Sequence, residues 1–276
     1  MKFALCNEVI REMPFPAQCE FAAALGYDGL EVAPFTLSER PHETGAIDAA
    51  ATRRAARDAG IEIVSLHWLL VAPEGLSITD PDDNVRARTI DVMRRLIDLC
   101  GELGGTALVH GSPLQRRLTA GDEDGTRDRA TACFAAVADT AKAAGVLYCI
   151  EALAPQDAEF INRVSEAAAM VDVIGSPHVR TMLDCCATAR LDEETPADLI
   201  DRWLPSGHMA HVQVNDGNGQ GPGQGDLDFK PILAALQRHG YAGTVAVEPF
   251  DYVPDGPAAA ARAIGYLRGI EEALRV

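Results

Sequence analysis

Glu151, Asp184, Gln213 and Glu248 stand near the ends of four successive strand-like runs, LYCIEAL, VRTMLDCC, HMAHVQVND and TVAVEPF, at intervals of 33, 29 and 35 residues. Each interval suits one strand followed by one helix. If the runs lie side by side, their ends bring three carboxylates and a carboxamide onto one face. Carboxylates gathered in this way repel one another unless positive charge lies between them, and a divalent cation answers that need. Singly, each acid could equally pair with an arginine or cap a loop; the set of four at this spacing points to a site.

The elements that must position these residues are legible along the whole chain. Strand-like runs KFALCNEV, DGLEVAP, IEIVSLHWL, TALVHGS, VLYCIEAL, VRTMLDCC, MAHVQVND and TVAVEPF alternate with helical stretches rich in Ala, Leu, Arg and Glu. The clearest helix starts near Asp82, with Val85, Val92, Leu96, Leu99 and Leu103 at helical spacing and Arg86, Arg88, Arg94 and Arg95 largely on other faces. Gly104 and Gly105 end it, and a glycine before a strand recurs at Gly26, Gly60, Gly145 and Gly240. Eight such alternations predict a single α/β domain over residues 1–276, a (β/α)8 barrel, rather than an open doubly wound sheet. The first strand has no G-x-G-x-x-G turn, which also counts against a dinucleotide fold. Three longer connections, Leu70 to Pro81, Gly111 to about Thr126 and the Gly-rich Asn215 to Asp228, fall after strands, where a barrel places its catalytic face, and are candidate lids.

Composition narrows the function classes. A net charge of −17 disfavours nucleic acid and anionic membrane surfaces as partners. No run approaches transmembrane length, and MKFALCNEVI, interrupted by Glu8 and Arg11, does not read as a signal peptide. The seven cysteines lack C-x2-C spacing and fall mostly in apolar runs, as expected for reduced, buried thiols in a cytoplasmic protein. A small-molecule substrate is the expectation.

Strand geometry separates the two polar residues of AHVQVND. His211 and Gln213 share a face, with Val212 and Val214 on the other, and lie roughly 6–7 Å apart along the strand. One cation is expected to take only one of them, leaving the deeper residue to orient a ligand or to meet the substrate.

With IEAL at the fifth strand, FINRVSEA after it, MLD at the sixth, HVQVND with PGQGDLDF at the seventh and GYAGTVAVEPF at the eighth, the chain resembles the xylose-isomerase-like TIM-barrel superfamily. Within it, the likeness is to the sugar (phosphate) isomerase and epimerase branch of ketose 3-epimerases and hydroxypyruvate isomerase. GYDGLEV and the LGG before the fourth strand agree in outline. The resemblance implies that Glu151, Asp184, Gln213 and Glu248 bind one divalent metal, with Gln213 where many relatives have the second His of His-x-His. An all-oxygen set favours Mn2+ or Mg2+ over Zn2+. The resemblance also implies that Glu151 and Glu248 act as acid and base on opposite sides of a keto-sugar or related hydroxy-ketone. A metal on the carbonyl and adjacent hydroxyl would stabilise the enediolate formed on deprotonation. Homodimers or homotetramers are implied by the same likeness.

Two departures qualify the substrate. Ala187 stands where ketose epimerases commonly have a His three residues after the sixth-strand Asp, and NDGNGQGPGQGD lacks the usual Arg. Substrate contacts are therefore expected from His67 and Trp68 after the third strand, His110 after the fourth, and His211. Glu8 and Glu31 are further candidates for hydroxyl contacts, and Arg116 with Arg117 for holding a carboxylate or phosphate. Lys230 reads as a surface residue, and Cys185 and Cys186 as packing beside the site. The rival chemistry is a metal-dependent lyase acting on a keto-sugar or inosose by elimination, dehydration or decarboxylation. A repair endonuclease would need more metal ligands and a basic face.

Overall fold

The computed structural model describes residues 1–191 and 193–275. Eight parallel strands, β1 (Lys2–Cys6), β2 (Gly29–Val32), β3 (Glu62–Leu66), β4 (Ala107–His110), β5 (Leu147–Ile150), β6 (Val179–Asp184), β7 (Met209–Val214) and β8 (Thr244–Val247), close into a barrel in sequence order. The closing pair is β8 with β1, in register from Lys2 opposite Thr244 to Leu5 opposite Val247. Closure leaves no sheet edge unpaired.

Ten helices among the described residues surround it: α1 (Phe15–Leu25), α2 (Ala49–Ala59), α3 (Asp83–Leu103), α4 (Glu123–Ala135), α5 (Ala138–Ala144), α6 (Val164–Ile174), α7 (Cys185–Leu191), α8 (Pro196–Trp203), α9 (Phe229–Arg238) and α10 (Gly256–Ala273). The alternation expected from the sequence holds, except that two connections, after β4 and after β6, each carry two helices. Helix starts are set by side-chain caps. Asp48, Asp82, Thr195, Asp228 and Asp255 each accept a hydrogen bond from a backbone N–H in the first turn. Left-handed glycines close α1, α2, α3, α5 and α6. On α3, Val92, Leu96, Leu99 and Leu103 are buried, as their spacing requires.

Because successive side chains of a strand point to opposite faces, each strand divides its residues between the helix layer and the barrel interior. The outer set, including Leu5, Leu66, Leu108, Ile150, Leu183, Val212 and Val247, joins the helices in the main apolar core. The interior of β4, β5 and β6 holds a separate small cluster of Ala107, Val109, Cys149 and Met182. Elsewhere the buried strand residues include Glu31, Ser65, His211 and Gln213. All seven cysteines are buried and free. No described helix is long and apolar enough to cross a membrane.

The N-terminus of α10 packs directly on the turn that carries Glu8. A Cβ at Gly256 would lie 1.8 Å from the backbone oxygen of Val9, whereas one at Gly265, deeper in the same helix, would meet nothing within 4 Å. Gly256→Ala is therefore expected to cost about 3 kcal/mol, while Gly265→Ala gains up to about 1 kcal/mol from helix propensity. Urea unfolding of the two variants should move in opposite directions; equal shifts would contradict this packing.

Candidate functional site

Glu151 follows β5, Asp184 ends β6 and Glu248 follows β8, and one carboxylate oxygen from each lies within 4.8 Å of the other two. All three side chains are buried. Gln213, on β7 opposite Asp184 in the strand register, completes the arc between β6 and β8. The structure thus brings the carboxylates of the expected set together at the C-terminal end of the barrel, with the carboxamide on the strand between two of them.

The electrostatics show what the cluster lacks. Burial, then Glu248 and Asp184, pushes the Glu151 carboxyl well above the usual carboxylate range. Burial raises Asp184 to about 6 against the pull of its hydrogen bonds. Burial likewise raises Glu248 to about 8, although His67 opposes it. Three acids that resist ionisation side by side are short of positive charge.

Each ligand candidate is held from behind. Asp184 Oδ1 accepts from the N–H of Ala187 at 2.6 Å and Oδ2 from Asn215 Nδ2 at 2.8 Å, so the aspartate both starts α7 and faces the cluster. Gly111 leaves room for Glu151: a Cβ there would come 2.3 Å from Glu151 Oε2. Behind Glu151, Arg116 is fully buried and donates from Nη1 to the Glu151 carbonyl at 2.7 Å. Glu248 Oε1 accepts from Trp68 Nε1 at 3.1 Å and lies 2.9 Å from His67 Nδ1.

His67 Nε2 lies 2.9 Å from Glu8 Oε2, so the imidazole bridges two carboxylates. Burial opposes its charged form, but Glu8, Glu248 and Glu31 outweigh that and raise it well above its ordinary value. The two acids thus favour the charged form of His67.

Beneath these groups, Glu31 organises the barrel interior. It is fully buried, and Oε1 accepts from Gln213 Nε2 at 2.6 Å and lies 3.3 Å from Cys6 Sγ. Ser65 Oγ donates to Oε2, and His211 Nε2 sits 2.7 Å from the same oxygen. Burial works against its charge, yet His211, then His67 and Ser65, keep Glu31 well below the usual carboxylate range. By engaging the amide nitrogen, Glu31 leaves Gln213 Oε1 as a buried oxygen with no partner. An orphaned acceptor on the strand next to Asp184, at the barrel end where three carboxylates crowd together, suits a cation. The donors are all oxygen, which suits a hard divalent ion.

A cavity of about 260 Å³ opens above the cluster, lined on one side by His67, Trp68, Glu248 and Phe250 and on the other by Leu153, Asp157 and Arg190. His67 and Trp68 line this cavity. The other two histidines do not. His110 pairs in register with Ile150, one residue before Glu151, and so points to the outer face. There it meets Tyr148 OH at 2.6 Å through Nδ1 and stands edge-on to Phe134 of α4. Burial, with Arg116 nearby, lowers it to about 3, leaving a neutral core residue. His211 lies below Gln213 against Glu31 and outside the cavity lining.

Among the weaker expectations, Glu8 and Glu31 serve His67 and Gln213. Arg116 is not a surface anion receptor but a buried prop of the Glu151 backbone; Arg117 and Lys230 are exposed. Cys185 and Cys186 pack beside Asp184 in the buried interior. The Gly-rich connection is tied to Asp216, whose carboxylate accepts from the N–H groups of Gly217, Gly225 and Leu227. Sequence reasoning passed over Asn215, although it continues the same-face series His211, Gln213, Asn215. It also passed over Asp157 and Arg190, which lie outside strands and carry no periodic signal.

A family model described as a xylose isomerase-like TIM barrel matches residues 19–270. The D-psicose 3-epimerase of Ruminiclostridium cellulolyticum is 30% identical over 245 residues, spanning 87% of this chain and 79% of its own. A putative hydroxypyruvate isomerase of Streptomyces coelicolor is 28% identical over 269 residues, spanning 90% and 89%. The solved structure of an L-ribulose 3-epimerase superposes with a TM-score of 0.83 over 100% of this chain and 96% of that one, at 22% identity, a likeness of fold. Together with the closed eight-stranded barrel, the matched span shows that the chain belongs to the xylose isomerase-like TIM-barrel family.

Proposed function

We propose that this protein is a divalent-metal-dependent ketose epimerase that inverts the carbon next to the carbonyl, one of Glu151 and Glu248 taking the proton from one face and the other delivering a proton to the opposite face. The carrying observation is the set of three mutually crowded carboxylates, with the partnerless Gln213 Oε1 on the strand between β6 and β8. The relative named as a D-psicose 3-epimerase supports the substrate class. Glu151, Asp184, Gln213 and Glu248 would hold the ion. A bound Mn2+ or Mg2+ would supply positive charge beside the carbonyl and adjacent hydroxyl oxygens of the ketose.

The protein's own groups divide the remaining work. Glu248, next to His67 and the Trp68 indole N–H, would take the proton from carbon as a carboxylate, once a cation offsets the burial and repulsion that otherwise raise it. The C–H electron pair moves into the carbonyl, giving an enediolate. Glu151, on the other side of the cavity, would in its protonated form return a proton to the opposite face, and the roles exchange in the reverse direction. β5 and β8 are separated by β6 and β7 in the ring, so the two glutamates approach from different sides of the cavity. Trp68 and Phe250, both partly exposed at its mouth, offer apolar faces to the C–H side of a sugar.

Two outcomes are expected. Glu151→Gln and Glu248→Gln should each lower ketose turnover by about 10²–10⁴-fold while leaving unfolding midpoints near wild type. Proton NMR in heavy water should show solvent deuterium at the inverted carbon of an isomeric product. Undiminished rates in both variants would contradict the two-glutamate scheme, and loss of water or another group from the sugar would assign elimination instead.

The raised carboxyls also set a pH dependence. Their folded values of about 6 for Asp184 and about 8 for Glu248 exceed the ordinary value of about 4. The metal-free folded protein therefore holds protons that the unfolded chain has released, and its stability falls as pH rises through that window. Saturating Mn2+ relieves the repulsion and requires the deprotonated ligands, so the Mn2+-induced gain in unfolding temperature should grow from about pH 5.5 to about pH 8. A gain that shrinks with pH would contradict the assignment.

A further inference from the structure

The carboxylate cluster draws on β5, β6 and β8. The other arc of the barrel, from β8 through β1 to β3, carries a second group of converging donors. Cys6 ends β1, Glu8 lies in the turn that follows, His67 comes after β3 and Glu248 after β8. One donor atom from each of the four lies within 4.8 Å of the other three, and all four residues are buried. Cys6 and Glu8 lie outside both the carboxylate cluster and the cavity lining.

The chemistry of this group differs from that of the carboxylate cluster. A thiol sulfur, an imidazole nitrogen and two carboxylate oxygens are the donor mix of a tetrahedral zinc site, whereas the donors around Asp184 are oxygen alone. Protons hold the group together in the structure. Cys6 Sγ donates to Glu31 Oε1 at 3.3 Å, and the two ring nitrogens of His67 lie 2.9 Å from Glu8 Oε2 and 2.9 Å from Glu248 Oε1. A divalent ion can replace the thiol proton and one imidazole proton, so the net charge buried there is unchanged. The thiolate and the freed ring nitrogen then become ligands. Side-chain rotation closes the present spread to metal–ligand bonds of roughly 2.0–2.3 Å. His67 and Glu248 line the cavity, which gives an ion a way in from solvent.

We propose that Cys6, Glu8, His67 and Glu248 form a second metal site, selective for a thiophilic divalent cation such as Zn2+, while Mn2+ or Mg2+ keeps to the oxygen donors. The site itself stands independently of the ketose reading. Its effect on turnover rests on that reading: an ion held here engages Glu248 and withdraws it from proton transfer, so Zn2+ inhibits the Mn2+-loaded enzyme.

Two readouts decide the site without any substrate. Crystals of the Mn2+-loaded protein soaked in Zn2+ should show a peak among Cys6, Glu8, His67 and Glu248 in the difference between anomalous maps recorded above and below the zinc edge. Titrating Co2+ into the Mn2+-loaded protein should produce a sulfur-to-cobalt charge-transfer band, which oxygen and nitrogen ligands alone do not give. Cys6→Ser, whose hydroxyl can still donate to Glu31, should lose that band and keep its Mn2+. Zinc density confined to Glu151, Asp184 and Gln213, absence of the band from wild type, or its persistence in Cys6→Ser would overturn the site. With D-psicose and excess Mn2+, added Zn2+ should abolish turnover by wild type and spare Cys6→Ser. Zinc bound at the four donors with turnover intact would overturn the inhibitory role. Wild type inert toward the ketose before Zn2+ is added would overturn the ketose reading, and the inhibitory role with it, while diffraction and the cobalt band still decide the site.

Discussion

Mutual repulsion among three buried carboxylates is the constraint on which the rest of the site depends. A closed barrel delivers Glu151, Asp184 and Glu248 to within 4.8 Å of one another and excludes most of the water that would otherwise screen them. Left alone, such a group answers by holding protons, which is the direction in which all three carboxyls are displaced. The fold tolerates this arrangement because the cost is confined to one end of the barrel, while the helix layer buries a continuous apolar core around it.

Below that layer the charges are balanced, and the contrast is informative. Glu31 is fully buried, yet His211, then His67 and Ser65, outweigh that burial and favour its ionised form. Glu8 and Glu248, which flank His67, favour its charged form. This satisfied network constrains the unsatisfied one: Glu31 engages the Gln213 amide nitrogen and leaves its oxygen unpaired, and Glu248 is held by His67 and Trp68. Mutations in the lower network are thus felt as misplaced ligands above it.

The fold was readable from the sequence because periodicity and helix punctuation are local. Eight strand signals, the capped α3 and the glycine stops correspond to observed elements; the extra helices after β4 and β6 were missed because α5 and α7 are seven-residue segments with little pattern of their own. The carboxylates of the site were readable because strand ends converge by topology alone. His110 was misplaced for want of register: only its pairing with Ile150 reveals that it faces the helices, where it packs as a neutral ring against Phe134. Arg116 looked like an exposed loop cation, and its burial behind Glu151 follows from the path of the connection after β4, which no spacing encodes. Glu31 was seen as a hydroxyl contact, whereas strand pairing turns it inward beneath the site.

The most direct measurement of the central claim is anomalous diffraction at the manganese edge from crystals grown with Mn2+. A single strong peak among the carboxylate oxygens of Glu151, Asp184 and Glu248 and the Gln213 amide oxygen is the predicted result. A peak instead among Cys6, Glu8 and His67, the other group whose ligand atoms converge with Glu248, or no peak at the strand ends, would contradict it.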